Sequence, residues 1–253
     1  MSAAASAGSH ARELRTAREL RTALEGRAVP GRAAGEKRYL RSELDHIGVP
    51  LPAMRALARA HVRAHPRLTH DELLALVREL WREPVHESRS VALILLDHRA
   101  DLLDARDTAF LEGLLRDCGT WAHVDLLAPF VAGRLLLREP RTQDAVRGWA
   151  ADEAQWVRRG GVLSFLLGVR QESDWPDWFP VFCEVADPLL ADDRFFVRKA
   201  IGWVLREGTK HHPRQVADWL EPRLDRVSGL TLREAVRRLE DRERRRLIAA
   251  HRA

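Results

Sequence analysis

The stretch Arg194-Phe195-Phe196-Val197-Arg198-Lys199-Ala200-Ile201-Gly202-Trp203-Val204-Leu205-Arg206-Glu207-Gly208-Thr209-Lys210 carries two opposed helical faces. At about 100° per residue, Val197, Ile201, Val204 and Leu205 form one apolar stripe, the core face of a packed helix. On the other side Phe196, Lys199, Trp203, Arg206 and Lys210 share an arc of roughly 80°. The whole chain has three lysines, and Lys199 and Lys210 are two of them. A merely solvated face has no use for a Trp among its charges. A surface that meets a polyanion uses cations for phosphates and flat rings for sugars and bases. The plainer alternative is a helix with a partly buried Trp and basic side chains whose stems lie along it.

Outward from this stretch the same period continues. Apolar residues recur at helical spacing from the Pro30-Gly31 break to the C-terminus, with helices expected near Glu36–Ile47, Pro52–Pro66, Thr69–Pro84, His86–Leu96, Asp107–Arg116, Thr120–Leu137, Pro140–Asp152, Ala154–Val169, Trp175–Leu190, Arg194–Glu207, Pro213–Leu224 and from Leu230 onward. No segment alternates with period two, and a composition rich in Ala, Leu, Arg and Glu with one Tyr favours helix over sheet. Overlaying Arg89-Ser90-Val91-Ala92, Arg159-Gly160-Gly161-Val162, Arg198-Lys199-Ala200-Ile201 and Arg233-Glu234-Ala235-Val236 gives a degenerate repeat, the last three spaced about 35 to 40 residues apart. That period suits HEAT-like helical pairs, in which each pair buries its stripe by stacking on the next and the second helices line a concave surface.

Composition narrows the classes. The formal net charge is +5 and the sequence pI about 9.9, which suits a polyanionic partner, although the preference for Arg over Lys also fits a GC-rich genome. Cys118 and Cys183 are too few and too distant for a disulfide framework or zinc site, so a reducing compartment is expected. No apolar run reaches membrane length and no apolar signal core opens the chain, so a cytoplasmic protein that touches no membrane is expected. Residues 1–35 read as an Ala/Arg-rich extension, partly disordered or with one short helix built on Leu14, Leu20 and Leu24, and residues 36–253 as the repeat domain.

Three helices place a tryptophan one turn from a charge: Trp121 and Asp125, Trp156 and Arg159, Trp203 and Arg206, with Lys199 one turn before Trp203. Asp125 is a lone carboxylate on a mostly apolar helix, and Pro129 cannot donate to its carbonyl, so the helix should be distorted beside the acid. Arg159 lies on an otherwise apolar stripe and needs a carboxylate or phosphate partner, with a structural salt bridge to Asp125 as one alternative. Gly160-Gly161 in mid-helix suggests a close approach of another helix or of DNA backbone. His211-His212 lacks the spacing of a joint metal site, and no metal or cofactor is expected.

Lys199-Ala200-Ile201-Gly202-Trp203-Val204-Leu205-Arg206-Glu207, the Trp121 to Pro129 segment and Trp156-Val157-Arg158-Arg159 resemble the AlkD-type DNA alkylation repair proteins, HEAT-like-repeat DNA glycosylases, over roughly Lys37 to Leu239. The resemblance implies a right-handed α-solenoid with a concave basic face, monomeric, acting on double-stranded DNA at the bacterial nucleoid. By the same resemblance Asp125 is the catalytic carboxylate, Trp121 and Trp203 are aromatic walls around the lesion, and Arg159 is a backbone and active-site cation. Trp156, Arg198, Lys199, Arg206 and Lys210 are the expected DNA contacts. The implied reaction is hydrolysis of the N-glycosidic bond of cationic N3- or N7-alkylated purines, leaving an abasic site. Related paralogues lack the acid and bind DNA without excision, which makes a non-catalytic binder of damaged or branched DNA the first rival and a protein-binding HEAT scaffold the second. Ala122 stands where a further Asp is common in the family, and the Gly160-Gly161 pair replaces better helix formers.

Overall fold

The computed structural model describes residues 16–251, and Leu14 with the rest of residues 1–15 lies outside them. Among the described residues the chain is helical throughout, with one isolated bridge between Asp45 and Val85 and no strand. It divides into two compact units: the described part of Met1–Arg106 with Cys118–Leu127, and Asp107–Asp117 with the described part of Ala128–Ala253.

The first unit is built around α5 (His86–His98), in which every residue from His86 to Leu96 is buried. A helix buried all round has no polar face to show, so its neighbours must cover every side. They are α1 (Ala17–Glu25), α3 (Leu51–Ala64), α4 (His70–Arg82) and α7 (Trp121–Leu127), with α2 (Arg32–Leu40) leading into the loop that clasps α5 from its N-terminal end. Helix α1 starts on a Thr16/Glu19 capping box and buries Leu20 and Leu24 completely, so the helix expected inside the extension is a core element. Helix α2 stops at Leu40, short of Ile47. Arg41 adopts φ 49°, and the next residues are held away from helix by α5 itself. The Glu87 carboxylate, wholly buried, accepts the amides of Ile47, Gly48 and Val49 at 2.9, 2.5 and 3.1 Å. Asp45 and His86 add the backbone bonds Asp45 N–H to Pro84 O and His86 N–H to Asp45 O.

The second unit holds α6 (Thr108–Arg116), α8 (Gly133–Arg138), α9 (Gln143–Ala151), α10 (Gln155–Leu163), α11 (Leu166–Arg170), α12 (Trp175–Ala186), α13 (Phe195–Gly208), α14 (Pro213–Leu220), α15 (Gly229–Ala235) and α16 (Asp241–Ala250). Helix α10 packs on α9, on α6 and on α13, and α13 packs in turn on α15, so the second helices of successive pairs lie side by side. The helical-repeat fold expected from the sequence is therefore present. Several long helices are split. Ala154–Val169 breaks at Ser164, whose hydroxyl donates back to the Gly160 carbonyl at 2.8 Å, and Thr120–Leu137 is divided by the π turn Ala128–Ala132.

The repeat is real, but its register differs by one residue from the sequence overlay. The Nε–H groups of Arg89, Arg158 and Arg198 each donate to the carbonyl six residues earlier: Glu83 at 3.2 Å, Asp152 at 2.6 Å and Asp192 at 2.5 Å. Arg158, not Arg159, is thus the partner of Arg89 and Arg198. The correct second-unit unit cell is Asp152-Glu153-Ala154-Gln155-Trp156-Val157-Arg158 over Asp192-Asp193-Arg194-Phe195-Phe196-Val197-Arg198. Each Asp also accepts the amide two residues on, at 2.7 Å from Ala154 and 2.8 Å from Arg194.

The Gly160-Gly161 pair serves helix contact. A Cβ on Gly160 would fall 2.6 Å from Leu115 Cδ1, and one on Gly161 would fall 2.3 Å from the backbone nitrogen of Ala150. Gly161→Ala is expected to destabilise the protein by about 1–3 kcal/mol, since backbone cannot yield as a side chain can. Gly148→Ala, on the exposed face of α9 with nothing within 4 Å, should stabilise it by about 0.5–1 kcal/mol. Urea unfolding of the two variants checks both signs; equal effects would mean that the α9–α10 approach is looser than described.

Candidate functional site

In the first unit, α7 brings Trp121 and Asp125 to one face, both part-exposed, and passes straight into the π turn containing Pro129. The distortion expected beside the acid is present, because a proline there removes one i to i−4 donor and the backbone widens to pass it. Trp121 is met edge-on by Tyr39, at 5.8 Å between centroids and 84° between planes. Tyr39 was not singled out in the sequence, although the signal existed: it is the chain's one tyrosine, 74% exposed, on a helix whose sole buried residue is Leu40.

The inner side of α7 is set by His123, which is fully buried. Its ring stacks on His86 at 4.7 Å and lies 5.7 Å from Trp81, and His86 stacks in turn on His46 at 4.6 Å. The Nε2 of His123 lies 3.2 Å from the His86 carbonyl, to which it donates in the tautomer carrying that proton. Arg89 sits over the Trp81 ring at 4.8 Å. Burial pushes His86 down to about 4, helped by the neighbouring His46, and holds His123 well below the ordinary histidine range. The stack under Trp121 and Asp125 is therefore neutral near pH 7.

In the second unit, Arg159 is buried, and its Nη1 donates to the Phe196 carbonyl at 2.5 Å, with the guanidinium 5.9 Å from the Phe196 ring. Trp156 and Phe196, equivalent in the repeat, pack at 4.9 Å, so an aromatic row runs from α10 to α13. Arg198 closes the N-terminus of its own helix on Asp192 and is only part-exposed. Trp203 is part-exposed on α13.

The basic row of α13 is matched within the chain. Lys199 donates to Glu234 at 3.0 Å, Arg206 pairs with the other oxygen of the same carboxylate, and Lys210 pairs with Glu207, which Arg238 also reaches at 3.1 Å. The face read as asking for an external anion thus meets α15, where Gly202 lets Glu234 and the Thr231 carbonyl approach closely. Lys199 remains about two-fifths exposed, whereas Arg206 is mostly covered. His211 and His212 do not converge: His212 stacks on Trp175 at 4.2 Å, while His211 faces Glu172.

The model of the family described as DNA alkylation repair enzyme matches residues 20–239. The chain belongs to the DNA alkylation repair enzyme family. The match starts within α1, earlier than Lys37, as the burial of Leu20 and Leu24 in the first unit's core would require. Among solved structures, a predicted DNA alkylation repair enzyme from Enterococcus faecalis superposes with a TM-score of 0.73 at 20% identity, over 85% of this chain and 98% of that one. AlkD2 from Streptococcus mutans gives 0.56 at 14% identity, over 80% and 88%, and smu.31 from Streptococcus mutans UA159 gives 0.56 at 15%, over 79% and 90%. At such identities the likeness is one of fold. No curated protein sequence matches the chain. Among the described residues, no helix is long and apolar enough to cross a membrane. Membership of this family assigns the chain a role in repair of alkylated DNA.

The buried imidazole of α7 makes a pH prediction for this family member. An unfolded histidine binds its proton near pH 6.5, whereas His123 in the fold does not, so the unfolded state holds the extra proton as pH falls. Stability from this group is complete above about 6.5 and declines below it. Melting temperature should drop between pH 7.5 and 5, and the drop should shrink in His123→Gln, which cannot take a proton. An unchanged slope in that variant would rule His123 out as its source.

Proposed function

We propose that this protein is a monofunctional DNA glycosylase that hydrolyses the N-glycosidic bond of cationic N3- or N7-alkylated purines in double-stranded DNA. The observation that carries the reading is Asp125: a part-exposed carboxylate one turn from Trp121, on a helix distorted at Pro129 and backed by a neutral imidazole stack. In this reading Asp125 stabilises the oxocarbenium-like sugar and orients the attacking water. Trp121, with Tyr39 against it, offers a π face to the developing positive charge, and Trp203 offers another. Arg159 supplies a fixed cation for the phosphate backbone, its position set by the Phe196 carbonyl. Trp156 and Lys199 add DNA contacts. Arg206 and Lys210 already pair with the carboxylates of Glu234 and Glu207, so their share in DNA affinity is smaller than their charge suggests, while Arg198 is positioned by the neutral Asp192 main-chain carbonyl. The protein acts as a monomer and needs no amine nucleophile, since the products are a free base and an intact abasic strand.

The direct test is single-turnover excision from a duplex carrying N7-methylguanine. Asp125→Asn keeps the shape and removes the charge, so excision should slow about 10²-fold or more while DNA affinity is largely kept. Near-wild-type excision by the variant, or none by the wild type, would leave a non-catalytic binder of damaged DNA.

Leaving-group charge should decide what is excised. A carboxylate beside aromatic faces lowers the barrier for a purine that already carries positive charge and departs neutral. A neutral adduct departs as an anion and needs a proton or strong donors at the base. N3-methyladenine and N7-methylguanine should be released, whereas ethenoadenine and uracil should persist in the same duplex context. Comparable rates for charged and neutral lesions of similar size would reveal a general acid acting on the base.

A further inference from the structure

We propose that Glu36, His46 and Glu87 bind one divalent metal ion of borderline softness, zinc being the best match, which locks the loop of residues 41–50 to α2 and α5. One ligand atom from each of the three lies within 4.8 Å of the other two. They come from three separate elements of the first unit: α2, the loop and the first turn of α5.

The unsatisfied valences point inward on the same spot. The Glu87 side chain is wholly buried, and no Lys or Arg of the described residues forms an ion pair with it. Its Oε1 takes the Gly48 and Val49 amides and its Oε2 takes only that of Ile47, so Oε2 keeps one lone pair. Glu36 gives one oxygen to Arg32 at 3.1 Å, while its Oε2 is buried with no partner among the described residues. Both ring nitrogens of His46 are likewise buried and unpartnered, though the ring itself is held flat against His86, 8° from parallel. A buried polar atom left unpaired keeps the cost of losing water without the return of a hydrogen bond. A water could satisfy some of these valences but would leave two carboxylates facing each other beside a neutral ring.

A divalent cation satisfies all of them together, and its charge equals that of the two carboxylates. The donor set then selects among cations. Calcium and magnesium want six or more oxygens, whereas one imidazole nitrogen with two carboxylate oxygens suits zinc, which accepts three protein ligands and a water. Bonds of about 2.0–2.2 Å in a tetrahedron place ligand atoms about 3.3–3.6 Å apart, so the present spacing must contract. Glu36 and His46 lie at the part-exposed edge and can turn inward, while the loop amides fix Glu87. The open edge also gives the ion its way in. Occupancy stiffens α2, the helix that carries Tyr39 against Trp121.

The test uses the full chain, stripped with a chelator and dialysed, then titrated with zinc chloride and separately with magnesium chloride by calorimetry and thermal melting. One equivalent of zinc should bind and raise the melting temperature, with magnesium leaving both readings flat. Cobalt substitution should give the strong visible absorption of a four-coordinate site. Glu36→Gln and His46→Gln, each part-exposed and therefore tolerated by the fold, should weaken zinc by at least about tenfold. His211→Gln, an exposed histidine elsewhere, should leave it unchanged. Absence of zinc binding, or affinity equal to wild type in both Glu36→Gln and His46→Gln, would overturn the proposal. These readings involve no DNA, so they stand or fall apart from the proposed excision activity.

Discussion

The constraint on which the second unit depends is the arginine that begins each inner helix. Arg158 donates its Nε to the Asp152 carbonyl and its Nη1 to the Asp192 carboxylate at 2.6 Å, joining one repeat to the next. Arg116 reaches Asp152 in the same manner, at 2.6 and 3.2 Å. Asp192 is 96% buried at its side chain, since only 4% is exposed, so its charge depends on Arg158 and Arg194 for company. Removing one partner of such a buried pair typically costs about 3–5 kcal/mol, because the other charge is left unmatched. The pair therefore fixes register more than it adds stability. With Asp152 and Asp192 also holding the amides of Ala154 and Arg194 at the helix starts, the two aspartates and Arg158 set where each inner helix begins and which residues face inward.

That constraint explains why the fold was legible and the register was not. Period-3.6 stripes specify helices, and Val157, Val197, Ile201 and Leu205 are buried as their spacing requires. The overlay failed at Arg159 because two arginines stand together at 158 and 159, and a four-letter pattern accepts either. Only the Asp six residues upstream distinguishes them. The ends of helices were harder for a related reason. Helix α2 stops at Leu40 because Glu87, about forty residues later in sequence, takes the amides of Ile47, Gly48 and Val49. A tertiary acceptor of that kind leaves no local mark except Gly48 with its φ of 89°, where a side chain would be strained.

The aromatic and basic face of α13 shows a different limit. Its pattern was read correctly as needing negative charge, but pattern alone does not say whose. Glu234 occurs in the overlaid repeat itself, one residue after Arg233, and it is the group that Lys199 and Arg206 share. A salt bridge across adjacent repeats and a phosphate contact ask for the same cations at the same spacing. What separates them is the small residue at Gly202, whose missing side chain admits α15 to within contact of the helix backbone. Net charge should accordingly be discounted wherever a glycine on the charged face permits a helix carrying acid to approach.

The helix that carries Asp125 is built differently from the elements that carry Arg158, Asp192, Lys199 and Glu234. Asp125 stands on a helix whose buried side is already complete, with His123, Val124 and Leu127 filling it, and whose axis is widened at the next turn by Pro129. Neither feature requires an acid at position 125, and a proline one turn beyond it weakens the helix it sits on. The local design gives up helical regularity and keeps a carboxylate at the surface beside two aromatic rings, Trp121 and Tyr39. Local sequence and helical geometry disagree at that turn, since Pro129 interrupts the helix directly after the residues that place Trp121 and Asp125 on one face.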